Sequence, residues 1–181
     1  MPRWIVAFVH GVEKLNHGIG RFAMYLLFAL MAVLAWSAIS KAAFTPSMWT
    51  LEMAQFIMVA YYILGGPYSM QMGSHVRMDL AYSRWNDRTR AAFDAFTVLA
   101  LMFYLAVMVW GAWESLAYSL TLKWPEGALL PQIGRLERSP TAWRPYLWPI
   151  KITMFLGFIL MFLQSLVYLI RDIATLRGEE I

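Results

Sequence analysis

Polar and apolar positions along this chain alternate on the scale of whole helices rather than single turns. Four long stretches carry no charge: Phe22 to Ser40, Met53 to Ser74, Ala95 to Trp113 and Ile152 to Ile170. Three of them run 19 residues and the second runs 22. At about 1.5 Å of rise per residue, 19 helical residues cover roughly 28 Å, the thickness of a bilayer's hydrocarbon core. The pattern predicts an all-α integral membrane protein, one membrane domain over 1–181, with transmembrane helices at 22–40, 50–74, 91–117 and 150–172. Ahead of the first span the spacing changes. Trp4, Ile5, Phe8, Val12, Leu15 and Ile19 recur at helical intervals, with Arg3, His10, Lys14, His17 and Arg21 on the other face. That periodicity predicts an amphipathic helix over 2–20 lying in the membrane interface. The first 21 residues carry both signs of charge, so the first span reads as an uncleaved signal-anchor.

The connections follow from the breakers. Pro46 closes a tight hairpin between the first two spans. Gly65-Gly66-Pro67 in the second span removes one backbone hydrogen bond and permits close helix approach, which predicts a kink or a tight helix contact. Ser83 or Asn86 can cap the third helix, with Asp87 in its first turn. From 120 to 149 the chain holds Pro125, Pro131, Pro140, Pro145 and Pro149, and reads as an ordered external loop that returns through Trp148-Pro149-Ile150-Lys151. No internal repeat or low-complexity tract interrupts this order.

Composition agrees with a membrane assignment. The chain is 60% apolar and only 14% charged, whereas a soluble domain uses about 25% charged residues to cover its surface. The net charge of +4 therefore records topology rather than nucleic-acid binding. Nine Lys and Arg residues fall on the side holding both termini and the 2–3 loop, and six on the other. The positive-inside rule places the nine in the cytoplasm. Seven of the nine tryptophans, Trp36, Trp49, Trp110, Trp113, Trp124, Trp143 and Trp148, gather at the opposite, outer ends, and only Trp4 and Trp85 lie inward. Such a cluster is an ordinary aromatic belt or a surface that meets a partner.

The chemistry on offer is sparse. With no cysteine, disulfides, thiolate metal sites and cysteine nucleophiles are excluded. His75 and Asp79 are spaced i, i+4 in "HVRMD" and share a helical face, but two ligands are too few for a closed metal site and Arg77 adds positive charge between them. The plainer reading is charge satisfaction where the second helix leaves the membrane. His10, His17 and His75 all lie outside the apolar spans, so a bundle-held haem lacks its ligands. Glu52 opens the second span, either as an acid favoured by a helix N-terminus or as a hydrogen-bonding group for another chain. Within the spans the polar groups, among them Ser37, Gln55, Ser69, Thr97, Thr153, Gln164 and some tyrosines, offer nothing to couple an ion or hold an anion. No catalytic residue, metal site or cofactor is expected.

Taken together, Glu52, then Gly65 and Gly66, then His75, Arg77 and Asp79, resemble the small membrane subunit of TRAP transporters, the DctQ type. "WPIK" before a fourth helix with Gly157 and Gln164 is similar to the same family. The resemblance covers most of the chain in the order of four helices. Pro67, the single acid at Glu52 and the length of the 120–149 loop depart from the usual pattern; the longer loop is similar to the mannitol/chloroaromatic-type subgroup. The resemblance implies a tripartite secondary transporter of the bacterial inner membrane. Its partners would be a large permease subunit, a periplasmic solute-binding protein and the lipid bilayer, with no nucleic acid. The small subunit would act as a non-enzymatic scaffold for sodium-driven uptake, usually of a carboxylate, with His75, Arg77 and Asp79 fixing the inner end of the second helix. The rival readings are the small subunit of a tricarboxylate tripartite system and a membrane anchor for an unrelated complex such as an oxidoreductase. The histidine-arginine-aspartate stretch opposes the first, and the lack of haem or quinone groups the second.

Overall fold

A computed structural model describes residues 3–73, 87–122 and 134–177, and within these the chain is all-helical. The helices are α1 (Arg3–Ala43), α2 (Thr50–Gln71), α3 (Asp87–Leu120) and α4 (Trp148–Arg177). Three are long and apolar enough to cross a membrane: α1, the Phe96–Leu120 part of α3 and the Trp148–Leu176 part of α4. At 22 residues α2 has a span's length, about 33 Å. It is not among those three, and Glu52, Gln55, three tyrosines and Gly65-Gly66-Pro67 interrupt its apolar run.

The first helix differs from its expected form. The sequence pattern predicts separate elements over 2–20 and 22–40, but the structure has one uninterrupted helix of 41 residues. No proline falls within it, and Gly11, Gly18 and Gly20 weaken a helix without ending it. Its N-terminal half, the half expected on the inner side, also finds protein to pack on. Val9 and Val12 are buried with Val167 of α4, and Leu163 and Ile170 close around them. Trp4, Phe8 and Leu15 stay exposed on the other side. The expected interfacial helix is thus not a separate element.

The helices pack side by side. α2 lies against both α1 and α4, α3 runs along α4, and α1 reaches α4 through its inner half. Small residues set the closest approaches. A Cβ on Gly20 would stand 2.4 Å from Tyr68 Cβ, and one on Gly157 would stand 2.1 Å from Ile63 Cγ2 and 3.1 Å from the Ile63 carbonyl. Only hydrogen fits there, so these two glycines bring α1 and α4 onto α2. Helix α2 runs on through Pro67, which is buried.

At the end expected to face outward the chain is tied down. Ser40 and Ser47 hydroxyls lie 3.1 Å apart, Ser47 donates to Thr50 at 3.3 Å, and Thr50 and Ser37 hydroxyls lie within 3.3 Å. These four hydroxyls hold the α1–α2 hairpin closed. Beyond α3, residues 134–147 form a compact non-helical loop with one antiparallel bridge between Arg138 and Tyr146. This is the described part of the expected 120–149 loop.

Candidate functional site

Among the described residues, buried polar side chains form two groups, called inner and outer for the sides they are expected to face. Asn16, Gln164 and Ser165 lie where the N-terminal third of α1 meets the middle of α4; Ser40, Thr50, Glu52 and Ser119 lie near the hairpin and loop ends of α1, α2 and α3. Ser165 is satisfied within its own helix by the Phe162 carbonyl.

The inner cluster joins α1 to α4. Asn16 donates its amide to Gln164 Oε1 at 2.7 Å, with both residues essentially sealed from solvent. Arg171 Nη2 lies 2.6 Å from Glu13 Oε1, two turns further along α4 and one turn back on α1. Valines surround these groups because the seam repeats at three- and four-residue intervals: Val9, Val12, Asn16, Gly20 and Ala23 on α1, and Leu160, Gln164, Val167 and Ala174 on α4. Counting one turn inward from Gly20–Tyr68 and two from Ile63–Gly157 brings Gln71 of α2 to the same level. Asn16 Oδ1, Gln71 Oε1 and Gln164 Nε2 are each buried without a hydrogen-bond partner among the described residues. His17 stacks edge-on against Tyr68, 5.5 Å between ring centres.

The expected site residues fall in different places. Gly66 faces α4, where a Cβ would stand 2.9 Å from Met161 Sδ. Gly65 has nothing within 4 Å and opens onto a groove of about 500 Å³ lined with Gly20, Tyr61, Tyr62 and Met72. Glu52 is 6% exposed and lies in the first turn of α2, eleven residues before Ile63 and so on the same helical face. Its Oε2 has no hydrogen-bond partner among the described residues. No side chain caps this helix end, so the free N–H groups of the first turn favour an acid there. His75, Arg77 and Asp79, with the capping candidates Ser83 and Asn86, lie outside the described residues.

The outer loop adds features that sequence reasoning missed. Lys151, in the first turn of α4, forms an ion pair with Glu137 at 2.6 Å and donates to the Ser115 carbonyl at 3.2 Å. This ammonium holds the Glu137 carboxyl below its ordinary value; partial burial opposes the shift, and the Ser119 hydroxyl adds to it. The Glu137 N–H donates to the Ser119 carbonyl at 3.0 Å, and Thr121 donates to the Arg135 carbonyl at 2.6 Å. Arg138 lies 4.5 Å over the Tyr146 ring and contacts its hydroxyl. The lysine of "WPIK" was visible in the sequence; its partner, fourteen residues earlier in an irregular loop, had no periodicity to reveal it.

Chemically, this arrangement can hold helices together and present end surfaces. Among the described residues no three histidines, acids or cysteines converge on a point where a metal could sit. A family model described as tripartite ATP-independent periplasmic transporters, DctQ component, matches residues 30–175. No curated protein matches the chain.

Proposed function

The chain belongs to the DctQ family of tripartite ATP-independent periplasmic transporters, the small membrane subunit of such a system, and from that premise we propose that it braces the large permease subunit and helps dock a periplasmic solute-binding protein. The transporter would take up an organic acid or similar solute on a sodium gradient. In this reading α2 crosses the inner membrane as the fourth span, both termini face the cytoplasm, and the 120–149 loop faces outward.

The observation that carries the scaffold role is the distribution of buried polarity. A carrier needs an accessible polar substrate site near the bilayer midplane, whereas the buried polar groups described here are sealed between helices, as Asn16 is against Gln164, or lie near the hairpin and loop ends. Large apolar side chains remain exposed along the lengths between. Phe28, Met31 and Leu34 on α1 and Phe96, Phe103 and Trp110 on α3 are at least half exposed. That surface suits lipid and a larger neighbour. His75, Arg77 and Asp79 would secure the inner end of α2 within the complex.

Purifying a tagged copy in mild detergent tests the proposal. Recovery of a large polytopic permease supports it; recovery of a haem or flavin protein instead overturns it.

A further inference from the structure

We infer that the outer loop is a basic docking face, and that its partner is an acidic patch on the transporter's periplasmic binding component. This rests on the proposed function and gives the docking step a place and a chemistry.

The face is built around an open cavity of about 1350 Å³ between the end of α3 and the 134–147 loop. Arg135, Arg138 and Arg144 line it, with Tyr118, Tyr146 and Glu114. All three arginines are exposed. The other nearby charges cancel, because Lys151 is paired with Glu137 at 2.6 Å. Glu114 and Glu137 are the acids on the described lining, and Lys151 takes up Glu137, so three guanidinium groups face one remaining carboxylate and the described face is positive.

The cavity is also held in shape. Gly134 N–H donates to the Leu120 carbonyl at 3.2 Å, Ser139 N–H to the Pro145 carbonyl at 2.9 Å, and Leu147 N–H to the Glu137 carbonyl at 3.3 Å. With Thr121 on the Arg135 carbonyl, these bonds fix the backbone that carries the arginines. A prearranged set of guanidinium forks loses little freedom on meeting carboxylates, which it can engage in pairs. Arg138 is already ordered by its stack on Tyr146.

The location strengthens the assignment. Positive residues in loops are disfavoured on the translocated side, yet Lys123, Arg135, Arg138, Arg144 and Lys151 all fall in this connection. Only Lys151 among the described four is used in an internal ion pair. Complementary charge of this kind speeds encounter and makes binding sensitive to salt. A concave, protein-shaped cavity favours a folded acidic partner over the flat surface of an anionic membrane.

The test uses the whole transporter in nanodiscs, with the binding component in solution. Arg135→Gln/Arg144→Gln leaves the Arg138–Tyr146 stack in place, and Arg135→Gln/Arg138→Gln/Arg144→Gln removes the whole set. The half-saturating concentration of binding component is expected to rise roughly tenfold in the triple variant and by less in the double. Wild-type binding is expected to weaken with salt far more steeply than that of the variants. The large permease should still copurify with both variants, which separates failure of this face from failure of the scaffold. Unchanged half-saturation and salt dependence would overturn the inference. So would loss confined to binding of anionic phosphatidylglycerol vesicles, because the face would then be a lipid contact.

Discussion

Asn16 of α1 and Gln164 of α4 meet across 2.7 Å in a position that is 1% exposed on one side and 0% on the other. They stand 148 residues apart in sequence, so this one bond ties the start of the chain to its last helix. Below them Glu13 and Arg171 repeat the same pairing with charge.

Removing one amide leaves the other buried and unmatched. Asn16→Leu or Gln164→Leu is therefore expected to destabilise the purified protein by about 1–3 kcal/mol. The double variant Asn16→Leu/Gln164→Leu should recover a large part of that loss, because two apolar groups then meet in an apolar seam. Thermal unfolding in detergent reads both. Additive losses in the double variant would mean the two side chains act separately.

Glycines 65 and 157 should respond in opposite directions. A methyl at Gly157 meets Ile63 side chain and backbone, so Gly157→Ala is expected to cost about 1–3 kcal/mol. Gly65 has open space around it, and alanine is favoured over glycine inside a helix by up to about 1 kcal/mol. Gly65→Ala should leave the isolated subunit as stable as wild type or more so. If it nevertheless lowers recovery of the large permease, the groove beside Gly65 is where a permease helix packs.

The loop anchor should loosen in acid. The Glu137 carboxyl is held below its ordinary value near 4.5 mainly by Lys151, so the pair contributes stability above that pH. The contribution is lost as pH falls further, through the lowered value. Limited proteolysis between residues 134 and 147 should therefore stay slow from pH 7 down to about pH 4.5 and speed up as the pH falls below that. Lys151→Met is expected to remove most of this pH dependence and to give fast cleavage throughout.

Arg77→Ala and Asp79→Ala are each expected to reduce copurification of the large permease and, with it, uptake. Normal assembly and transport in both would reduce this stretch to ordinary charge at a helix end.

Much of the fold was legible because charge is so costly in lipid that its gaps mark the spans. The Trp148–Lys151 entry to α4 and the hairpin at Pro46 were readable for the same reason. The continuity of α1 was not. Trp4, Phe8 and Leu15 make a stripe suited to an interface, and nothing local says that Val9, Val12 and Asn16 beside it will meet Val167 and Gln164. Periodicity shows that a face is apolar but not what covers it. The same limit applies to Gly65 and Gly66, adjacent in sequence but 100° apart around α2, so that only Gly66 meets Met161. Glu137 pairs with Lys151 through a loop with no repeat, and three-dimensional closure alone brings them together.

Reconstitution addresses the central claim most directly. Vesicles holding this chain alone, given a sodium gradient, the binding component and its solute, should accumulate no solute, and adding the large permease should restore uptake. Sodium-dependent accumulation by the chain alone would contradict the account.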